Sequence, residues 1–123
     1  DEPVDDAFLA MVNYGIIGLI QLSMGYADRK DITPEQALDL YDRHMTATRE
    51  LMHAKNHDYK EAWRKMRVSS YTDLILMTLM RTKEIEDNAG VTRVSEGIGA
   101  NYQDIIIYSI FALIKLAEAN GQI

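Results

Sequence analysis

Hydrophobic residues recur with helical spacing in four segments of this chain, and short polar stretches separate them. The first segment runs from about Asp6 to Gly25 and is apolar on nearly every side, which is typical of a helix surrounded by protein. The second begins at Thr33, which forms a capping box with Gln36, and we expect it to end near Asn56. No segment alternates between apolar and polar residues for long enough to predict a strand.

One short helical turn and two further helices complete the pattern. Asp58 and Glu61 are the expected capping pair of the turn, and Trp63 is its apolar anchor. The third helix is expected from Ser70 to a stop at residues 88–90, and the fourth from about Asn101 to just before residue 120. The pattern therefore predicts an all-α fold, a four-helix bundle with a short extra helical turn.

Residues 2–22 and 96–116 are two versions of one segment, EPVDDAFLAMVNYGIIGLIQL and EGIGANYQDIIIYSIFALIKL. Without gaps, six positions are identical and several others exchange one apolar residue for another. A repeat with a period of 94 residues predicts the following organisation. Residues 1–25 are the last helix of a truncated first repeat, residues 33–120 are a complete second repeat, and the two together form one compact domain.

The first and fourth helices also share small residues at matching positions. Gly15 and Gly18 correspond to Ser109 and Ala112. Small residues three apart on an apolar helix allow another helix to approach closely. We therefore expect the first and fourth helices to pack together as a pseudo-symmetric pair. The alternative is that both helices simply fit an irregular core.

Composition and charge narrow the classes of function. The chain has no cysteine, which excludes disulfides and thiolate metal sites and favours a cytoplasmic location. Its net charge of −6 repels a nucleic-acid backbone, so we expect no nucleic-acid partner. A small phosphorylated ligand is compatible with this charge if a divalent cation bridges it to carboxylates.

An uncharged stretch from Ala7 to Ala27 is long enough to cross a bilayer. Asn13 and Gln21 lie inside it, and its repeat partner contains Asp104. A buried central helix accounts for this composition better than a membrane span does, so we expect no membrane association.

The sequence KNHDYKEAW at residues 55–63 combines a cation, an amide, an imidazole, a carboxylate and two aromatic rings. Stacking surfaces beside hydrogen-bonding groups are what a nucleotide-sized ligand requires. The competing interpretation is structural: a capping aspartate, two core aromatics and a surface histidine. The candidate binding residues in this stretch are Lys55, Asn56, His57, Asp58, Tyr59 and Trp63.

Four acids are candidate ligands for Mg²⁺. Glu84 and Asp87 lie three apart on one helix, and Asp104 interrupts the apolar fourth helix, with Glu96 eight residues before it. A carboxylate in apolar surroundings must be paired, hydrogen-bonded or bound to a metal. Oxygen ligands from two helices suit Mg²⁺. The alternative is a salt bridge from an acid to one of the nearby cations Arg81, Lys83 or Lys55.

These elements together carry a family resemblance. The order of KNHDYKEAW, then LMRTKEIEDN, then D-x-x-x-Y on an apolar helix resembles the bacterial and phage nucleotide-modification-associated domain of the first type, over about Tyr41 to Leu116. Relatives in that family often carry tandem copies. The pattern is also remotely similar to the all-α nucleoside-triphosphate pyrophosphatases of the MazG type, which hold Mg²⁺ with acidic pairs on two neighbouring helices.

The resemblance implies roles for individual residues. Glu84 and Asp87 resemble the first acidic pair and Asp104 the aspartate of the second, but Asn101 stands where a glutamate is expected. An amide brings no charge to a metal, which weakens the case for activity. In the first copy, the corresponding positions are alanines and hold no metal.

Two hypotheses follow. The first is a nucleotide-binding domain linked to nucleotide modification, extending to a Mg²⁺-dependent nucleoside-triphosphate pyrophosphohydrolase whose catalytic residues are unknown. Lys55, Arg64 and Arg81 would neutralise the phosphates of its small-molecule ligand. The second is a non-catalytic helical module for dimerisation or protein interaction. It would form a homodimer or pack against the missing part of the first repeat.

Overall fold

The computed structural model describes residues 4–25, 32–87 and 94–123, apart from the side chains of residues 59 and 94–96. These residues form four α-helices and one 3-10 helix, and no strand occurs among them. The all-α bundle is confirmed. The elements are α1 (Val4–Met24), α2 (Pro34–Tyr59), η1 (Ala62–Lys65), α3 (Val68–Asp87) and α4 (Val94–Ala119).

The start of α2 agrees with its sequence signal. The Thr33 hydroxyl accepts a hydrogen bond from the backbone N–H of Gln36 at 3.1 Å, and the Gln36 side chain accepts one from the backbone N–H of Thr33 at 2.8 Å. Two backbone donors of the first turn are thereby satisfied. The end of α2 was predicted too early, because the helix continues past Asn56 to Tyr59.

The predicted capping pair of the short turn is wrong. Asp58 lies inside the last turn of α2, and Glu61 makes no side-chain cap for η1. Instead, the chain breaks at Lys60 and Glu61, whose φ angles of 52° and 61° are left-handed. Such angles are unfavourable for residues with side chains and end a helix abruptly. Trp63 is buried, as predicted for the apolar anchor.

Two other helix starts also differ from the prediction. α3 begins at Val68 rather than Ser70, and α4 begins at Val94 rather than near Asn101. The early part of α4 contains Gly97 and Gly99, which disfavour a helix on propensity alone. The end of α4 at Ala119 is as expected, and the predicted linker at 26–32 and stop at 88–90 lie almost entirely outside the described residues.

α1 and α4 pack against each other more extensively than any other pair of described elements. A Cβ atom added to Gly15 would lie 2.5 Å from Cγ1 of Ile106, and one added to Gly18 would lie 2.8 Å from the ring of Tyr102. The small residues of α1 therefore meet α4 closely, as predicted. Their repeat counterparts on α4, Ser109 and Ala112, are fully buried.

The buried side chains lie mainly between α4 and its neighbours. One cluster joins α1, η1, α3 and α4 around Tyr71, Ile107 and Phe111, and a second joins α1 and α4 around Ile16 and Ile106. The helical stretches Val4–Met24 and Gly97–Ala119 are long and apolar enough to span a membrane, a property that core helices of soluble proteins share.

Candidate functional site

A pocket of about 290 Å³ opens where the end of α2, η1, α3 and α4 meet. α2 contributes two polar side chains to it, and the other elements contribute aromatic and aliphatic walls. Because α2 ends abruptly and η1 turns back towards α4, the polar end of α2 lies beside the aromatic core. The lining residues are Lys55, Asn56, Ala62, Trp63, Met66, Tyr71, Leu74, Ile107, Tyr108 and Phe111.

Trp63 forms one wall of this pocket and is held on several sides. Its ring stacks on Phe111 with centroids 4.5 Å apart and planes 8° from parallel, and the guanidinium of Arg64 lies 4.5 Å from its centroid. Its indole N–H donates to Oδ1 of Asn56 at 2.6 Å. Since a stacked phenyl ring fills one face and the guanidinium takes the other, Trp63 presents its edge to the pocket.

Tyr71 lines the pocket and connects α3 to η1. Its hydroxyl donates to the backbone carbonyl of Trp63 at 2.6 Å, and its ring lies 6.3 Å from that of Tyr108. Burial, with a smaller effect of Tyr108, raises the pKa of Tyr71 to about 12. The buried hydroxyl thus remains a neutral donor that ties α3 to η1.

The raised pKa of Tyr71 predicts that the stability of the folded protein falls at high pH. Its pKa is higher in the folded state than in the unfolded chain, so its contribution to stability is complete below about pH 10 and is lost as the pH rises towards about 12. We expect Tyr71→Phe to be less stable than the wild type at neutral pH, through loss of the hydrogen bond to Trp63, and to lose less stability over that alkaline range. Urea unfolding as a function of pH measures both effects; parallel curves for the two proteins would contradict the assignment.

Lys55 and Asp104 form an ion pair at the polar edge of the pocket. Nζ of Lys55 lies 2.9 Å from Oδ1 of Asp104, and the two side chains are 34% and 24% exposed. The aspartate in the apolar helix is thus paired with a cation, which is the alternative that the sequence left open. The pair links α2 to α4, and Lys55 is the member of the pair that lines the pocket.

The magnesium hypothesis gains no support from the described side chains. No group of three or more histidine, cysteine, aspartate or glutamate side chains in the described part of the chain is placed to hold a metal ion. Glu84 and Asp87 are exposed on the last turns of α3. The side chain of Glu96 lies outside the described residues, so its role stays a prediction.

The remaining candidate residues with described side chains lie outside the pocket lining. His57 and Asp58 are exposed at the end of α2 and do not line the pocket, and the side chain of Tyr59 is outside the described set. Arg64 binds Glu61 and Glu118, and the hydrogen bond to Glu118 is the main cause of its raised pKa. Nη2 of Arg81 donates to the hydroxyl of Thr78 at 3.3 Å, one turn away.

Seven of the ten pocket residues were not candidate site residues in the sequence. Phe111 and Ile107 belong to the apolar face of α4, and Tyr71 and Met66 lie in segments that carry no motif. Two of the seven belonged to a motif: Tyr108 is the tyrosine of D-x-x-x-Y, and Ala62 lies in KNHDYKEAW. The others join the pocket through contacts between elements, which local spacing does not predict.

Comparison with known proteins agrees with the motif. Residues 55–116 match the family described as nucleotide modification associated domain 1, which is half of the chain. The match begins at Lys55 and includes the whole pocket and the Lys55–Asp104 pair. No curated protein and no solved structure matches the chain. The chain belongs to the nucleotide modification associated domain 1 family.

Proposed function

We propose that this chain binds a nucleotide, with the base in the aromatic pocket and the phosphates at its mouth beside Lys55. The observation that supports the proposal is the composition of this one pocket, in which aromatic and aliphatic walls carry an amide and a cation at one edge. A nucleotide needs apolar surface for the base, a hydrogen-bonding group to recognise it and positive charge for phosphate. The association of the family with nucleotide modification agrees with this ligand class.

The proposed base position follows from the arrangement of the aromatic rings. Phe111 and Arg64 cover the faces of Trp63, so the base packs against the Trp63 edge and the rings of Tyr71 and Tyr108. Asn56 accepts a hydrogen bond from Trp63 through Oδ1, which orients its amide. In this proposal, the NH₂ group of Asn56 donates to an acceptor on the base edge.

Pocket size and charge define how much of the ligand enters. A volume of about 290 Å³ is at the lower end of the range of about 300–1,000 Å³ that is usual for ligand pockets. It suits a base and part of a sugar, with the phosphates outside. Lys55 stands at that boundary, where phosphate would compete with Asp104 for its ammonium group.

Lys55→Met tests the phosphate contact because methionine retains the apolar stem and removes the charge. We expect the Kd for deoxynucleotides to rise by roughly tenfold or more, while the Kd for the matching nucleosides stays unchanged. Fluorescence of the single tryptophan, which forms a pocket wall, reports binding directly. Lys83→Met removes an exposed lysine of α3 outside the pocket and serves as the control.

Two outcomes would contradict the proposal. If no nucleotide changes the tryptophan fluorescence or the thermal stability, nucleotides are excluded as ligands. An equal loss of nucleotide and nucleoside affinity in Lys55→Met would place the phosphates elsewhere, because the charge would then act on the pocket as a whole.

The same titration on Asp104→Asn separates charge competition from metal binding. In the absence of magnesium, we expect this variant to bind nucleotides more tightly, because phosphate no longer competes with a carboxylate for Lys55. The magnesium hypothesis gives the opposite result. It requires the affinity gained on adding Mg²⁺ to depend on Asp104 and to disappear in the variant.

Pyrophosphohydrolase activity is the finer form of this proposal and comes from the family resemblance. It needs a metal or another group to stabilise charge on the phosphates, and the described acids form no such cluster. Detection of pyrophosphate after incubation with nucleoside triphosphates and Mg²⁺ tests hydrolysis independently of binding.

A further inference from the structure

The two halves of the repeat are buried to very different extents on one face. Ile17 of α1 is 45% exposed. At the period of 94 residues its counterpart on α4 is Phe111, which is only 8% exposed. The same type of side chain is therefore covered on one helix and uncovered on the other.

Two elements of the second copy, η1 and α3, cover the corresponding side chains of α4. Phe111 stacks on Trp63 of η1 and lies 6.2 Å from the ring of Tyr71 on α3, and Tyr108 lies 6.3 Å from Tyr71. Tyr14, the counterpart of Tyr108, is 68% exposed. α3 also lies beside α1, near Val4 and Phe8, but Tyr14 and Ile17 have no described counterpart of this cover and stay exposed.

The contacts between α1 and α4 follow an approximate two-fold relation. Gly18 of α1 meets the ring of Tyr102 on α4. Exchanging the two copies converts this contact into one between Ala112 and Phe8, and those two residues lie in one buried cluster. The same operation, applied to α2, η1 and α3, carries them onto the outer face of α1.

We propose that the outer face of α1, defined by Tyr14 and Ile17, is the docking surface for a second α2–η1–α3 unit. Within the repeat this unit precedes its apolar helix along the chain, so a unit joined ahead of α1 has the connection that suits this surface. The surface has no charged residue from Ala7 to Met24, which suits burial against another apolar element. This surface is separate from the pocket, and its role does not depend on nucleotide binding.

The test extends the full chain with a second copy of residues 32–94 joined directly to residue 1, which preserves the repeat period. We expect the extended protein to unfold in one transition and the amides of α1 to exchange roughly tenfold or more slowly than in the 123-residue chain. An added unit that exchanges freely, with no new protection in α1, would overturn the proposal.

A matched pair of variants locates the contact between α1 and the added unit. Ile17 and Met24 are both 45% exposed, but the counterpart of Ile17 is the buried Phe111 and the counterpart of Met24 is the exposed Glu118. We expect Ile17→Glu to lower the unfolding midpoint of the extended protein clearly, and Met24→Glu to change it little. Both should have little effect on the 123-residue chain.

Equal effects of the two variants in the extended protein would overturn the proposal, because the added unit would then not contact α1 at the position that corresponds to the buried Phe111. A different occupant has its own signature. If the 123-residue chain is a dimer by light scattering and Ile17→Glu makes it a monomer, a second copy of the chain occupies the surface and the proposed unit does not.

Discussion

Replacing Trp63 with alanine is expected to lower the free energy of unfolding by about 3–5 kcal/mol, a loss typical of large buried aromatic side chains. Trp63 is 7% exposed, stacks on Phe111 and is the anchor of η1. Its removal leaves a cavity between η1 and α4, and Oδ1 of Asn56 loses its donor. Urea unfolding followed by circular dichroism measures the change, since the variant has no tryptophan.

Trp63→Phe is the matched variant for this prediction. Phenylalanine retains a ring against Phe111 but loses the indole N–H, so we expect a smaller loss, of about 1–2 kcal/mol. The alanine variant should also lose nucleotide affinity, because one pocket wall disappears. If Trp63→Ala unfolds at the same urea concentration as the wild type, η1 is not anchored as described.

Gly15→Ala is expected to lower the free energy of unfolding by about 1–2 kcal/mol, although alanine favours a helix more than glycine. The added methyl group would lie 2.5 Å from Cγ1 of Ile106, a branched side chain with no exposed surface. Overpacking such a contact costs about 2–3 kcal/mol, and helix propensity returns about 0.5–1 kcal/mol.

Gly97→Ala is the control for this substitution. Among the described residues, its added Cβ would meet Cδ1 of Ile85, at an ordinary contact distance of 3.7 Å. Because Gly97 also lies within a helix, we expect this variant to gain about 0.5–1 kcal/mol. Opposite signs in the two urea curves support a close approach of α1 and α4; stabilisation by both substitutions would argue against it.

Helix ends were harder to predict than helices. The Thr33 capping box is confirmed because every group in it is local, within three residues of sequence. The end of α2 is set by left-handed backbone at Lys60 and Glu61, for which neither side chain is a strong signal. α4 begins earlier than its propensity suggests, at Val94. A Cβ atom added to Gly99 would lie 3.9 Å and 4.0 Å from the side chains of Leu22 and Leu19 on α1, so helix packing accompanies the poor helix formers.

The candidate site was predicted in part. Lys55, Asn56 and Trp63 line the pocket, because they sit together at one helix end in the sequence motif. His57 belongs to the same motif but is exposed outside the pocket, since a helix turns successive side chains to different sides. Tyr71 enters from α3, and its position depends on the packing of α3 against η1 and α4.

By itself, the sequence determined that the chain is helical, that its first and fourth helices are versions of one segment, and that small residues allow them to pack closely. These properties depend on periodicity and on local backbone chemistry, which neighbouring residues fix. Only the tertiary structure decided that Asp104 pairs with Lys55, that the faces of Trp63 are covered and that one side of α1 is uncovered. Each of these depends on residues far apart in the chain, whose contacts arise only when the helices pack.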